Sequence, residues 1–376
     1  MSLAYTDEET MLAEVVQSFC VTELSFDRVS AMRTANAGSL DVRLWKQISE
    51  LGLLGIDFDE SNGGVALGMP SLAIVGEAFG ATLAPTPMLS TVLLGGQILQ
   101  RAGNSFQRET WLPRVIEGDA ILSLAHFEPG MRFETGAIKA RATAMEDGFC
   151  ISGTKSMALD ATFADAIIVS AVIEDETDRP SLFLVSPLTS GVTIREQRLI
   201  DGRPSAVVEF QNVKVSAEDI IGERGAALAL LNSITDHAIL YLCAEMIGGM
   251  QRAFDMTVDY LGTREQFNVK IGTFQALQHR AARMFTSLSL ARPTVRAAAL
   301  AADGDSLAFA RLVSHAKAMC CDAYLHIANE AIQMHGGIGM TEEFPVGHYL
   351  KAARVSEMLF GDAAFHRGRW AQLHDY

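Results

Sequence analysis

Two long stretches of helical patterning enclose a central run of short β-branched segments, and this change of texture narrows the fold more than any other feature. Near the start, Thr6-Asp7-Glu8-Glu9 reads as a capping box. The Thr6 hydroxyl takes a free backbone N–H at a helix start and the Glu9 carboxylate reaches back to the cap. Leu40, Leu44, Ile48 and Leu51 recur at helical spacing before Gly52, and helical patterns resume over 71–83, 88–102 and 106–117. Around residue 120 the period changes. Segments 121–125, 138–144, 166–172, 182–185, 192–196 and 206–215 are rich in β-branched residues and separated by Gly, Pro, Asp and Ser clusters. Their spacing predicts an antiparallel sandwich or barrel. From Glu223 the pattern is helical again, with few breakers before Gly336-Gly337. The expected architecture is mainly α with a central β domain. A helical domain spans 1–120, a middle antiparallel β sandwich or barrel 121–222, and a C-terminal four-helix-bundle-type domain 223–376.

Composition removes several classes of function. With 376 residues, 49% of them hydrophobic, the chain has enough apolar surface for more than one core. A formal charge of −15 without a basic stripe speaks against nucleic-acid partners. Cys20, Cys150, Cys243, Cys320 and Cys321 form no C-x-x-C pair, which predicts a reduced, cytoplasmic chain without a metal centre. The most apolar long stretch, 226–250, contains Asp236, His237 and Glu245. These charges predict a bundle helix rather than a membrane span.

The chemistry-bearing residues gather near the C-terminus. Arg264 and Phe267 are three apart and are expected on one face near a helix end, where a guanidinium fork suits a pyrophosphate and a ring suits a nucleotide. Gln275 follows a Gly-containing break at Ile271-Gly-Thr. Gln333 is expected on a helix that stops at Gly336 and Gly337, whose missing side chains permit close approach of a ligand or another backbone. The plain alternative is a solvated Arg264, a core Phe267 and an ordinary helix terminator. No strand precedes the glycines, so they are not a Rossmann turn.

Taken together these segments resemble the acyl-CoA dehydrogenase family. The resemblance extends over nearly the whole chain: Thr-Asp-Glu-Glu at 6–9, Gly-Thr-Lys at 153–155, Val-Asp-Tyr-Leu-Gly-Thr-Arg-Glu-Gln-Phe at 258–267, Phe-Gln-Ala-Leu-Gln-His at 274–279, and Gln-Met-His-Gly-Gly-Ile-Gly-Met from 333 to 340. Leu-Cys-Ala-Glu at 242–245, Val-Gly-His-Tyr at 346–349 and Leu-Phe-Gly-Asp at 359–362 are similar in wording to the small subunit of pimeloyl-CoA dehydrogenase. The resemblance implies FAD as cofactor, an acyl-CoA thioester as substrate, and an electron-transfer flavoprotein or similar acceptor. It also implies α,β-desaturation, in which a carboxylate removes the α proton and hydride leaves the β carbon for the flavin. In the family FAD lies between two subunits, and residues matching Arg264, Phe267, Gln275, Gln333, Gly336 and Gly337 serve the flavin of the neighbouring chain.

Against the family pattern, the chain's own flavin side is altered. Phe127 stands in place of the Thr of a Thr-Glu-Pro turn, and the following Gly-Ser-Asp run is missing. Met157 and Leu159 replace an aromatic residue and a hydroxyl residue, and a Leu side chain makes no hydrogen bond. The two positions where relatives carry the base hold Phe360 and Ala238, and Ile239 stands where an Arg is expected. Asp236 is the remaining candidate; its plainer reading is a core Asp paired with a neighbour. Asp362 reads as the N-cap of the last helix.

These features predict a subunit that lends half a FAD site to a related, complete chain. A self-sufficient homo-oligomeric flavoenzyme and an inactive acyl-CoA-binding homologue are the alternatives.

Overall fold

A computed structural model describes residues 3–34, 40–133, 136–174 and 179–376. Helices α1 (Asp7–Glu23), α2 (Phe26–Thr34), α3 (Val42–Glu50) and α4 (Gly68–Thr82) open the chain. A π-helical segment, Met88–Gly96, runs into α5 (Gln97–Ala102), and α6 (Ser105–Ile116) follows. The strands are β1 (Leu122–Ala125), β2 (Arg141–Met145), β3 (Gly148–Leu159), β4 (Ala166–Ile173), β5 (Pro180–Val185), β6 (Val192–Arg198), β7 (Pro204–Ser216) and β8 (Ile220–Ile221). Then come the long α7 (Ala227–Thr263), a small hairpin of β9 (Glu265–Gln266) and β10 (Val269–Lys270), and α8 (Gln275–Leu300). Helices α9 (Ser306–His335), α10 (Val346–Met358) and α11 (Ala363–Gln372) complete the chain. The helix–β–helix order follows the sequence pattern. The predicted capping box closes α1, with Thr6 N–H donating to Glu9 Oε2 at 2.9 Å and Glu9 N–H to Thr6 Oγ1 at 3.1 Å.

The chain condenses into two compact units. One holds residues 1–31, 69–84 and 239–376; the other holds 32–68 and 85–238.

The second unit is built on the sheet, and here the expectation of purely antiparallel pairing is corrected. The strands form one mixed sheet in the order β6-β7-β3-β2-β4-β5-β8, with β1 also on β4. Both β1 and β2 run parallel to β4: Leu122 pairs with Ala166 and Ala125 with Val169, then Arg141 with Val172. The chain therefore travels along β4, leaves after Ala125 as a loop, and resumes the same direction at Arg141. Alternation in a sequence reports burial but not strand direction, so this excursion is invisible in the pattern. The sequence also hides β3. Its pairing with β7 shifts register between Ile151 and Gly153 and again between Lys155 and Ala158, and these bulges break the period-two signal.

The first unit is organised by α7. Gly80 on α4 lies so close to α7 that a Cβ there would sit 1.9 Å from the Glu245 carbonyl oxygen. A Cβ on Gly248 would sit 1.8 Å from the Glu77 carbonyl oxygen, and one on Gly249 2.1 Å from the Tyr324 hydroxyl. The two helices meet backbone to backbone, which only residues without side chains allow. Arg292 on α8 binds Glu77 and donates to Gln251 at 2.9 Å, and Arg296 grips Glu9 at 2.8 and 2.6 Å. Among the described residues α7 is the one helix long and apolar enough to cross a membrane. In its most apolar window 67% of the residues are buried within the protein, and it carries Asp236, His237 and Glu245.

The crossing is testable. Gly80→Ala and Gly248→Ala are each expected to destabilise the fold by about 1–3 kcal/mol or more, since overpacking forces backbone shifts. Gly262→Ala, at an exposed place near the end of α7 with open space around it, is expected to stabilise by about 0.5–1 kcal/mol. Equal denaturation midpoints for Gly80→Ala, Gly248→Ala and the natural chain would contradict the close crossing.

Candidate functional site

The C-terminal group of candidates lies in the first unit. α7 ends at Thr263, so the expectation that Arg264 and Phe267 share a helical face is corrected. Arg264 follows the helix directly, its N–H donating to the Tyr260 carbonyl at 2.9 Å. Phe267 and Asn268 form the two-residue turn of the β9–β10 hairpin, with φ of 54° and 63°. Positive φ at both central positions marks a primed hairpin turn, a place usually given to Asn-Gly. A Phe at the first position is strained. The turn carries the ring away from the core, 87% exposed, with Phe274 edge-on at 6.3 Å. The signal passed over in the sequence was Gly262, one residue before the last residue of α7.

Gln275 is the exposed first residue of α8, after a short helical turn over Ile271–Thr273. Gln333 is exposed on the last turn of α9, which ends at His335 as predicted. Gly336 has φ 66° and ψ −140°, a conformation reserved for glycine. Gly337 differs: its φ is not positive, and a Cβ there would meet nothing within 4 Å. No packing within the chain requires glycine at 337. Ile338 and Met340 beside it are also exposed, Met340 by 77%. An open cradle, an exposed guanidinium and an outward aromatic ring fit the adenosine and pyrophosphate side of a dinucleotide.

The residues around Phe127 and Leu159 lie in the sheet unit. Phe127 is on the loop that leaves between β1 and β2. Glu128 stitches this loop shut: its carboxylate accepts N–H from Lys139 at 2.8 Å and Ala140 at 3.0 Å, and binds the Lys155 ammonium at 2.7 Å. Lys155 is fully buried and also donates to the His126 carbonyl and to Ser170 Oγ, both at 3.2 Å. All three ammonium protons are thereby used. Burial pulls Lys155 down to about 8 and, with Lys155 nearby, His126 down to about 3; the Lys155 partnership outweighs burial to hold Glu128 below the usual carboxylate range. Each charge in this knot has a structural partner.

Beyond it, Ser156 N–H donates to the Phe127 carbonyl at 2.8 Å, and Met157 sits in a bulge with φ 52°. Leu159 is buried. Phe127, Met157 and Leu159 give a flavin ring no side-chain hydrogen bond, so this side does not fit the isoalloxazine in the way the opposite half fits the adenosine. No chemical step is assigned to it.

The base positions tell the same story. Ala238 and Phe360 are buried and carry no carboxylate. Asp236 is buried and partnered, and two residues along a helix place it about 200° around the axis from Ala238. It does not share a helix face with Ala238. Phe360 has φ 60°, in a loop held by a buried cation: Lys317 Nζ donates to the carbonyls of Ser356 at 2.7 Å and Gly361 at 2.8 Å. His366 Nε2 donates to the Phe360 carbonyl at 3.1 Å, and Asp362 caps α11 through Phe365 N–H at 2.8 Å, as predicted for an N-cap.

A group that sequence reading passed over is Asp160, next to Leu159. It is buried, with φ 58°, and its Oδ2 is 2.5 Å from Ser90 Oγ on the π-helical segment. Ser90 also faces the Pro87 carbonyl at 3.1 Å. One hydroxyl hydrogen cannot serve both acceptors, whereas a neutral Asp160 donating to Ser90 leaves the Ser90 hydrogen for the Pro87 carbonyl. Burial pushes the Asp160 carboxyl up to about 7, against the opposing pull of Ser90 and Arg203.

With this geometry established, comparison with known proteins places the chain. Residues 6–119, 123–213 and 224–373 match the N-terminal, middle and C-terminal domains of acyl-CoA dehydrogenase. The chain belongs to the acyl-CoA dehydrogenase family, whose members are FAD-dependent oxidoreductases. It is 28% identical over 375 residues to the probable acyl-CoA dehydrogenase YngJ of Bacillus subtilis (strain 168), covering 98% of each chain. It is 30% identical over 334 residues to the mitochondrial short-chain specific acyl-CoA dehydrogenase of Homo sapiens, covering 86% of this chain and 80% of that one. Among solved structures, the ChsE4-ChsE5 complex from Mycobacterium tuberculosis matches with a TM-score of 0.89 and 26% identity, over 100% of this chain and 99% of that one.

Asp160 gives a pH prediction. Its folded pKa lies above the unfolded value, so its stabilising contribution is complete below about pH 4 and is lost as pH rises through about 7. The stability difference between the natural chain and Asp160→Asn is expected to favour the natural chain most in acid and to shrink across that window. A difference that stays flat from pH 4 to 8 would show that Asp160 is ionised throughout.

Proposed function

We propose that this chain is a small subunit of a hetero-oligomeric acyl-CoA dehydrogenase, one that completes the FAD site of a related chain rather than running the desaturation on its own residues. Arg264, Phe267, Gln275, Gln333, Gly336 and Gly337 would meet the adenosine and pyrophosphate of the partner's FAD. Bound there, the FAD would accept hydride from the β carbon of an acyl-CoA thioester and pass electrons to an electron-transfer flavoprotein or a similar acceptor. The observation that carries this reading is the contrast between the two half-sites. Phe267 is held outward by a strained turn and Gly337 is left open, whereas Leu159, Phe127, Ala238 and Phe360 offer neither a flavin hydrogen bond nor a base. Two further points support it. The wording at 242–245, 346–349 and 359–362 resembles the small subunit of pimeloyl-CoA dehydrogenase, and a structural relative at 26% identity is described as a complex of two differently named proteins.

Flavin content decides the matter. Purified alone, the chain is expected to be colourless. Co-purified with a related dehydrogenase, it is expected to give one flavin per two chains, and Arg264→Ala with Phe267→Ala is expected to strip flavin from the partner. A full flavin complement in this chain alone, bleached by an acyl-CoA, would overturn the proposal in favour of a self-sufficient enzyme.

A further inference from the structure

The exposed half-site residues come from two separate places in the chain, the connection from α7 into the start of α8 and the end of α9. What joins them is a cluster of three rings, a buried His335 between the half-buried Tyr260 and Phe344. His335, the last residue of α9, is 3% exposed and stacks on Tyr260 of α7, centroids 4.4 Å apart and planes 29° apart. Phe344, in the segment between Met340 and α10, closes the group at 4.9 Å from His335 and 6.5 Å from Tyr260. The His335 ring is fixed in rotation by its own helix, Nδ1–H donating to the Ala331 carbonyl at 2.7 Å. Burial holds its pKa below the ordinary histidine value, so it works as a neutral ring. Each ring is one step from the exposed residues. Tyr260 O accepts the N–H of Arg264 at 2.9 Å, and His335 precedes Gly336 and Gly337 directly. A Cβ on Gly339 would lie 2.9 Å from the Ile332 carbonyl oxygen and 3.1 Å from the His335 Cβ, so the glycine turn folds back closely on the last turn of α9.

We propose that His335 is a positioning residue: through its stack with Tyr260 and Phe344 it sets the spacing between Arg264 and the Gly336–Gly337 cradle, and so the fit of the half-site to a dinucleotide. Aromatic pairs of this geometry prefer fixed offsets, which suits a spacer better than an aliphatic contact would. A ligand gripped at two points loses affinity when the points move by a fraction of an ångström. This inference rests on the half-site reading above.

The test uses the complex of this chain with a related, flavin-carrying dehydrogenase, and reads FAD affinity by fluorescence titration after flavin removal, together with thermal stability and assembly. His335→Ala and Tyr260→Ala are expected to weaken FAD binding by about tenfold or more while the complex stays assembled. Tyr260→Phe, which keeps the ring, is expected to bind as the natural complex does. Leu288→Ala, a core change in α8 of the same unit, controls for general loss of stability: it is expected to lower the melting temperature without a matching loss of FAD affinity. FAD affinity unchanged in His335→Ala, or weakened equally by Leu288→Ala at equal melting temperature, would overturn the positioning role alone. If the natural chain adds nothing to the partner's FAD affinity, the half-site reading fails, and the positioning role with it.

Discussion

The close passage of α4 over α7 is the constraint from which the helical unit follows. Gly80 and Gly248 let two backbones meet where side chains would collide, and this fixes α7 in rotation and height. Arg292 then reaches both Glu77 on α4 and Gln251 on α7, and Arg296 ties in the capped start of α1 through Glu9. With α7 placed, its last turn presents Tyr260 to His335 and ends at Thr263, so the hairpin that carries Phe267 starts from a fixed point. Dispersion and burial supply most of the stability in such a bundle, but close packing fixes its geometry.

In the sheet unit the corresponding element is ionic. Glu128 and Lys155 are both buried, and each has its remaining polar capacity used by backbone or by Ser170. Such a pair costs solvation, and a fully satisfied one gives specificity of geometry rather than net stability. Here the geometry specified is that of the loop between β1 and β2, on which Phe127 lies. The loop is well held even though the residues it presents are ill suited to a flavin ring.

The candidate half-site came from the wording of the motifs and the family they resemble; residue type alone left a solvated Arg264 and an ordinary helix terminator open. Arg264, Gln333 and the paired glycines stood out because guanidinium, amide and bare backbone are chemically distinctive, and the α9 stop at His335 followed from Gly336. The hairpin did not stand out, because Phe267-Asn268 is not a sequence that asks for a primed turn. Strand β3 was missed because two bulges destroy its alternation, and the parallel strands were missed because side-chain patterns carry no direction. Asp160 and His335 were passed over for a common reason: one is an Asp beside an apolar strand end and the other a His inside a glycine motif, and neither shows its partners until the chain is folded.

The sequence by itself determined the order of helical and β regions, the capping of α1 and α11, and the absence of a carboxylate at Ala238 and Phe360. These are local matters of period, cap chemistry and residue type. Tertiary structure decided the strand directions, the outward placement of Phe267, the burial that raises the Asp160 carboxyl and the meeting of three rings at His335. Each of these depends on which distant segments meet, and burial, desolvation and ring geometry act only between groups that the fold has already brought within a few ångströms.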